Sequence, residues 1–92
     1  LRLVAPADGT VLRISRELRA EDQALRIEAQ PAIVVAFVEL YVDGAPVGRL
    51  RQAPYRASWI IAPGEHAVRA RAVDLNGAEH WSESARVTVL AP

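Results

Sequence analysis

The chain is predicted to be all-β: a two-sheet antiparallel β-sandwich of about seven strands, with residues 1–92 forming one domain. Three observations predict it. Apolar side chains recur at every second position in run after run, the spacing of a half-buried strand rather than a helix. Gly, Pro, Asn or Asp bounds each run, with the hairpin-forming pairs Asp43-Gly44 and Asn76-Gly77 beside the clearest ones. Hydrophobic residues make up 51% of the chain, more than a disordered segment carries and enough for a core.

Residues 1–4 form a first strand, closed by Pro6 and the Asp8-Gly9 turn, and residues 11–14 a short second one. Residues 15–24 (SRELRAEDQA) are rich in helix formers, with Ser15 at an N-cap position, but their apolar face is thin. An isolated helix of that length is marginal in water, so an extended loop with one helical turn is expected. In residues 25–29, Leu25, Ile27 and Ala29 face inward and Arg26 and Glu28 outward. Residues 37–43 alternate most clearly: Val38, Leu40 and Val42 on one face, Phe37, Glu39 and Tyr41 on the other. After the Asp43-Gly44 turn, residues 47–50 return as the partner strand. Residues 55–61 follow through Pro54, and residues 66–74 place Val68, Ala70 and Ala72 opposite Arg69 and Arg71. The last strand, residues 85–90, turns Val87 and Val89 inward, and residues 79–82 begin it or bulge into it. Leu25, Ile27, Val38, Leu40, Val42, Trp59, Val68, Ala70, Val87 and Val89 are the expected core.

Composition excludes several classes of function. Eleven basic and eleven acidic residues cancel, so nucleic acid, which needs a basic excess on one face, is not an expected partner. No apolar run approaches the roughly 20 residues of a membrane-spanning helix, so a soluble piece is expected. Zero cysteines remove disulfides and thiolate metal sites. The chain opens on Leu1 without a signal peptide and reads as a fragment of a larger protein.

Residues able to carry chemistry are few. His66 and His80 have neither helical nor hairpin ligand spacing with a partner, so no metal site is expected. Ser58, His66 and Asp74 make a triad only on paper, because Ser58 lies within a strand, with its hydroxyl flat against the sheet. Asp8, Asp43 and Asp74 sit at turns, where carboxylates cap backbone N–H groups. The five glycines are scattered turn residues, with no phosphate-binding loop among them. No catalytic residue and no cofactor are therefore expected. Trp59 reads as the large filler between the sheets; Trp81 and His80, side by side in a polar stretch, are the candidates for partner contact, with Trp81 either stacking on or anchoring a partner or covering the edge of the small core.

The segments VELYVDGAPV (38–47), APYRASW (53–59), PGEH (63–66), ARAVDLNG (70–77) and VTV (87–89) resemble a bacterial immunoglobulin-like domain. The N-terminal third narrows the likeness: APADGTVLRI (5–14) and RELRAEDQALRIEA (16–29) resemble the C-terminal domain of penicillin-binding proteins of the 1C class, with Gln23 and Leu25 at the family's Gln and apolar strand. The chain departs from that pattern in having Leu40 where the family often carries Trp, and in lacking prolines between Ile14 and Gln23. The resemblance implies a membrane-anchored, periplasmic peptidoglycan synthase as parent, with this domain as its non-catalytic docking module. The parent's transpeptidase chemistry needs Ser-x-x-Lys and Lys-Thr-Gly, and a chain without lysine has neither. Expected partners are a protein or the peptidoglycan of the cell envelope, met by a monomeric domain. The alternative is an immunoglobulin-like spacer, or carbohydrate-contacting module, of another secreted or surface protein.

Overall fold

The computed structural model describes residues 1–92 and contains nine strands: β1 (Arg2–Ala5), β2 (Thr10–Arg13), β3 (Ala24–Gln30), β4 (Val35–Val42), β5 (Ala45–Leu50), β6 (Tyr55–Ile60), β7 (Gly64–Asp74), β8 (Glu79–Trp81) and β9 (Ala85–Leu90). They form two sheets, one ordered β1-β3-β6 and the other β2-β9-β7-β4-β5, with β8 extending the second along β7. The expected β-sandwich is present, with nine strands where about seven were predicted.

Period-two alternation becomes layering. On β4 and β7, Val38, Leu40, Val42, Val68, Ala70 and Ala72 are buried. Opposite them, Ile27 and Ala29 of β3 close the core, and Val87 and Val89 of β9 extend it. The small alanines of β3 and β7 leave room for Leu40 and Ile27 between the layers, both of them fully inaccessible. Leu25 and Trp59, expected inside, are only partly buried and pack against the core from β3 and β6. Leu25 and Trp59 pair with each other at the end of β3 that β1 does not reach, since β1 pairs only residues 28–30.

One expectation is corrected: the sandwich is not wholly antiparallel. After β1 pairs antiparallel with β3, the chain crosses to the other sheet, and β2 runs parallel to β9, with Thr10 opposite Val87 and Arg13 opposite Leu90. The crossing is pinned at Arg86, whose N–H donates to Asp8 Oδ1 at 2.8 Å and whose carbonyl accepts from Gly9 N–H at 2.9 Å. Gly9 has φ of +85°, a conformation that glycine adopts without strain. One short segment thus serves the margins of both sheets, limiting the exposed edge. On the other side β5 leans over β6 at Gly48, where a Cβ would lie 2.9 Å from the Ala57 Cβ.

Residues 15–23 form the expected loop, with one 3-10 turn at Ala20–Asp22, and Ala24 already belongs to β3. Buried Gln23 holds it: Nε2 donates to the Ser15 and Leu18 carbonyls at 3.0 and 3.2 Å, and Oε1 accepts from Ser15 N–H at 2.6 Å. Residues 79–81, expected to begin the last strand, are instead a separate strand that returns along β7 after the Asp74–Ala78 turn. Buried Ser82 makes the break between β8 and β9. Its Oγ accepts from Ala70 N–H at 2.9 Å and donates to the Glu83 carbonyl at 2.9 Å.

At about 3.3 Å per residue the 11-residue β7 spans roughly 35 Å, which fits only the longest of the dimensions, 46 × 21 × 18 Å. Val35 pairs with Asp74 at one end of β7, and Val89 with Gly64 at the other. Leu1 lines a cleft with Val35 and His80 at the first end, while Leu90 lies just past Val89 at the second. β1 therefore starts at one pole of the sandwich and β9 finishes at the other.

Candidate functional site: an aromatic and arginine face

The outward positions of β4, β7 and β8 converge on one face. Register puts Glu39 opposite Arg71, Tyr41 opposite Arg69, and Arg71 opposite Trp81, so these side chains all stand on the solvent side of the larger sheet. At its centre Glu39 Oε1 accepts from Arg71 Nη2 and, at 2.9 Å, from the Tyr41 hydroxyl. Arg71 also donates from Nε to the Tyr41 oxygen at 3.2 Å and from Nη1 to Glu79 Oε1 at 2.5 Å. The guanidinium fork therefore ties three strands together, a geometry that lysine does not reproduce. Hydrogen bonding to Arg71 holds the Glu39 carboxyl below its ordinary value, and Glu39 in turn keeps Arg71 protonated.

Aromatic rings flank this network. Arg49 lies 4.0 Å from the Phe37 ring centroid while its Nε sits 3.4 Å from Glu39 Oε2. Trp81 is 44% exposed, its ring 5.6 Å from that of Tyr41, with the Arg69 guanidinium 4.4 Å from its centroid. The carboxylates of the network pair with Arg49 and Arg71, which leaves Arg69 with an aromatic neighbour and no ion pair. A shallow groove of about 240 Å³ opens between Trp81, Tyr41, Arg69 and the Asp43-Gly44 turn.

The two sequence-derived contact candidates, Trp81 and His80, part company here. They are consecutive residues of β8 rather than loop residues, so their side chains take opposite faces. Trp81 joins the open face. His80 turns to the cleft shared with Leu1 and Val35, with Nε2 2.9 Å from Asp74 Oδ2. That contact, with N–H donation from Ala78 and Asn76, keeps the Asp74 carboxyl below its usual range.

The paper triad does not assemble. His66 pairs with Asp43, Asp74 with His80, and Ser58 lies on the other sheet opposite Arg26. His66 Nδ1 is 2.6 Å from Asp43 Oδ2, Nε2 is 2.8 Å from the Ala62 carbonyl, and the ring sits edge-on to Trp59 with centroids 4.7 Å apart. Both nitrogens face acceptors, so the imidazolium fits and the carboxylate raises the His66 pKa; the same bond lowers that of Asp43. This pair joins the Asp43-Gly44 turn to β7 and is shut off from solvent on the His66 side, where only 11% of the side chain is accessible. Asp8, Asp43 and Asp74 all cap backbone N–H groups as expected, but Asp8 and Asp43 reach strands distant in sequence.

The architecture and the residues agree with a family comparison. A model of the bacterial Ig domain matches residues 1–70. The chain belongs to the bacterial Ig domain family. A solved structure among the CbhA fibronectin(III)-like modules of Clostridium thermocellum is similar to this Ig domain, with 27% identity, TM-score 0.79, and coverage of 98% of this chain and 95% of that one. Comparison with curated proteins finds no match to the chain. The family match ends just before Arg71, so Arg71 and Trp81 lie outside the matched part of the Ig domain.

Arg69 and Arg71 were legible as outward residues, whereas the sequence left Trp81 open between an exposed contact and a cover for the core edge, and the structure shows it 44% exposed. The partnership of Trp81 with Tyr41 and Arg69 was not legible. Its one sequence signal was the shared outward phase of residues 37–41, 69–71 and 79–81, which becomes informative only once β4, β7 and β8 are known to be neighbours.

Proposed function

We propose that this Ig domain is a non-catalytic accessory module of a bacterial cell-envelope protein, acting as a firm spacer. The observation that carries the reading is the placement of the start of β1 and the end of β9 at opposite poles of a body 46 Å long. A chain entering at one pole and leaving at the other spans the whole module. Pairing of β2 with β9, and the close approach of β5 to β6, resist its extension by shear. The fibronectin(III)-like neighbour is itself a module of CbhA, which supports an accessory role. Domains of this fold are generally non-catalytic.

For the parent we propose a periplasmic, membrane-anchored peptidoglycan synthase of the penicillin-binding 1C class, on the strength of the residues 5–29 resemblance. A protein or the peptidoglycan of the envelope is then the surface the module meets. Replacing the module within its parent by an unrelated β-sandwich of equal span tests the spacer role. Retained parent function is the expected result; loss of function despite an equal span would overturn it. Transpeptidase motifs upstream in the same reading frame are expected for the parent, and tandem copies of this domain without such motifs would assign it elsewhere.

A further inference from the structure

We propose that Trp81, Tyr41 and Arg69 form a binding platform for a carboxylate-bearing glycan. The inference stands independently of the spacer role.

Three features point to that ligand. First, Trp81 offers nearly half its surface on an otherwise charged face, and Tyr41 lies beside it at 5.6 Å. The C–H face of a sugar ring matches such a pair, while its hydroxyls suit the surrounding charged groups. Second, Arg69 lies against the Trp81 ring without a carboxylate of its own, whereas Arg49 and Arg71 are paired with Glu39 and Glu79. A ligand carboxylate would accept from its guanidinium next to the stacking surface, the contact that arginine makes best. The nearest carboxylate in the groove, Asp43, is already engaged by His66 and by Ala67 N–H. Third, the platform is built on strands rather than loops. Tyr41 is fixed by Glu39 and Arg71, and Trp81 by the pairing of β8 with β7, so little ordering remains to be done on binding.

A protein partner fits less well. Interface cores are contiguous and depleted in charge, whereas here the aromatic rings alternate with guanidinium and carboxylate groups. The groove of about 240 Å³ is smaller than the roughly 300–1,000 Å³ of drug-sized pockets, and suits one unit of a longer chain. Zero net charge argues against nucleic acid.

The test titrates the isotopically labelled chain with three probes: oligogalacturonate, which carries carboxylates, and neutral chito- and cello-oligosaccharides. Oligogalacturonate is expected to shift the Tyr41, Arg69 and Trp81 resonances most, with an affinity that weakens as salt is added. Trp81→Ala should abolish the response. Arg69→Gln should weaken oligogalacturonate binding about tenfold and bring it level with the neutral probes. Both side chains are exposed, so unchanged melting temperatures will show that each variant is folded. Three results would overturn the proposal: no response of this face to any probe, shifts confined to another face, or wild-type affinity in Trp81→Ala. Self-association that Trp81→Ala removes, without any glycan response, would overturn it too and make the face a protein contact.

Discussion

Asp43 holds His66 at 2.6 Å, and this pair fastens the β4–β5 turn to the first residues of β7. Asp43 adopts φ of +52° and Gly44 φ of +80°, the two left-handed residues of a hairpin turn whose twist suits the flanking strands. One carboxylate thus completes a turn, caps Ala67 N–H and neutralises an imidazolium.

The pair gives stability a pH dependence with two limbs. The His66 pKa is raised by Asp43, so its contribution is complete below the ordinary value of 6.5 and is lost as pH climbs through the raised one. Asp43, Asp74 and Glu39 are lowered, so theirs is complete above their ordinary values of 3.8, 3.8 and 4.5 and is lost as pH falls through the lowered ones. The melting temperature should therefore peak between these ranges and decline on both sides. Asp43→Asn keeps a residue tolerant of the left-handed turn and should flatten the alkaline decline. A wild-type melting temperature that does not change from neutral to alkaline pH would contradict this.

Gly48 is required by packing, not by backbone conformation. Its added Cβ would meet the Ala57 Cβ at 2.9 Å, and neither atom sits on a flexible side chain. Gly48→Ala should cost about 1–3 kcal/mol in denaturant unfolding by forcing β5 off β6. Adding Ala57→Gly should recover part of the loss, and a purely additive double variant would show that the two atoms do not clash.

Gln23 replaces a missing strand partner with its own amide. Gln23→Leu removes three part-buried hydrogen bonds to Ser15 and Leu18 and takes that partner from their backbone groups. A loss of about 1–3 kcal/mol is expected, with new proteolytic cleavage within residues 15–22. Cleavage no faster than in the wild type would mean that the loop is held by something else.

Core truncations should rank by enclosure. Leu40 is wholly buried between the sheets, and Leu40→Ala should cost about 2–5 kcal/mol. Trp59 is larger but only partly buried, so Trp59→Ala should cost no more than Leu40→Ala despite the greater volume removed. It should also shift the His66 titration, because the edge-on contact between the two rings, with centroids 4.7 Å apart, would be lost. An unchanged His66 titration would remove Trp59 from that site.

Much of the fold was legible because alternation and turn chemistry are local. The β4–β5 hairpin and the β7 alternation follow from residues within a few positions of each other, and Asp43-Gly44 and Gly77 take the positive φ their positions predict. The β7–β8 hairpin was half legible: the Asn76-Gly77 turn was evident, but β8 was assigned to the last strand because Ser82 gives no local sign of a break. Its hydroxyl interrupts the strand by bonding Ala70, twelve residues away.

The amino-acid order by itself settled that this is a β-sandwich, which side chains face inward on its longest strands, and that its turn carboxylates serve the backbone. Those properties depend on neighbours in the chain, whose geometry is dictated by steric limits and period-two pleating. Tertiary structure alone decided that β2 runs parallel to β9, that Asp43 rather than Asp74 meets His66, and that Trp81 stands beside Tyr41 and Arg69. Each of these follows from the order and direction in which strands line up within the larger sheet, and no local pattern encodes that choice.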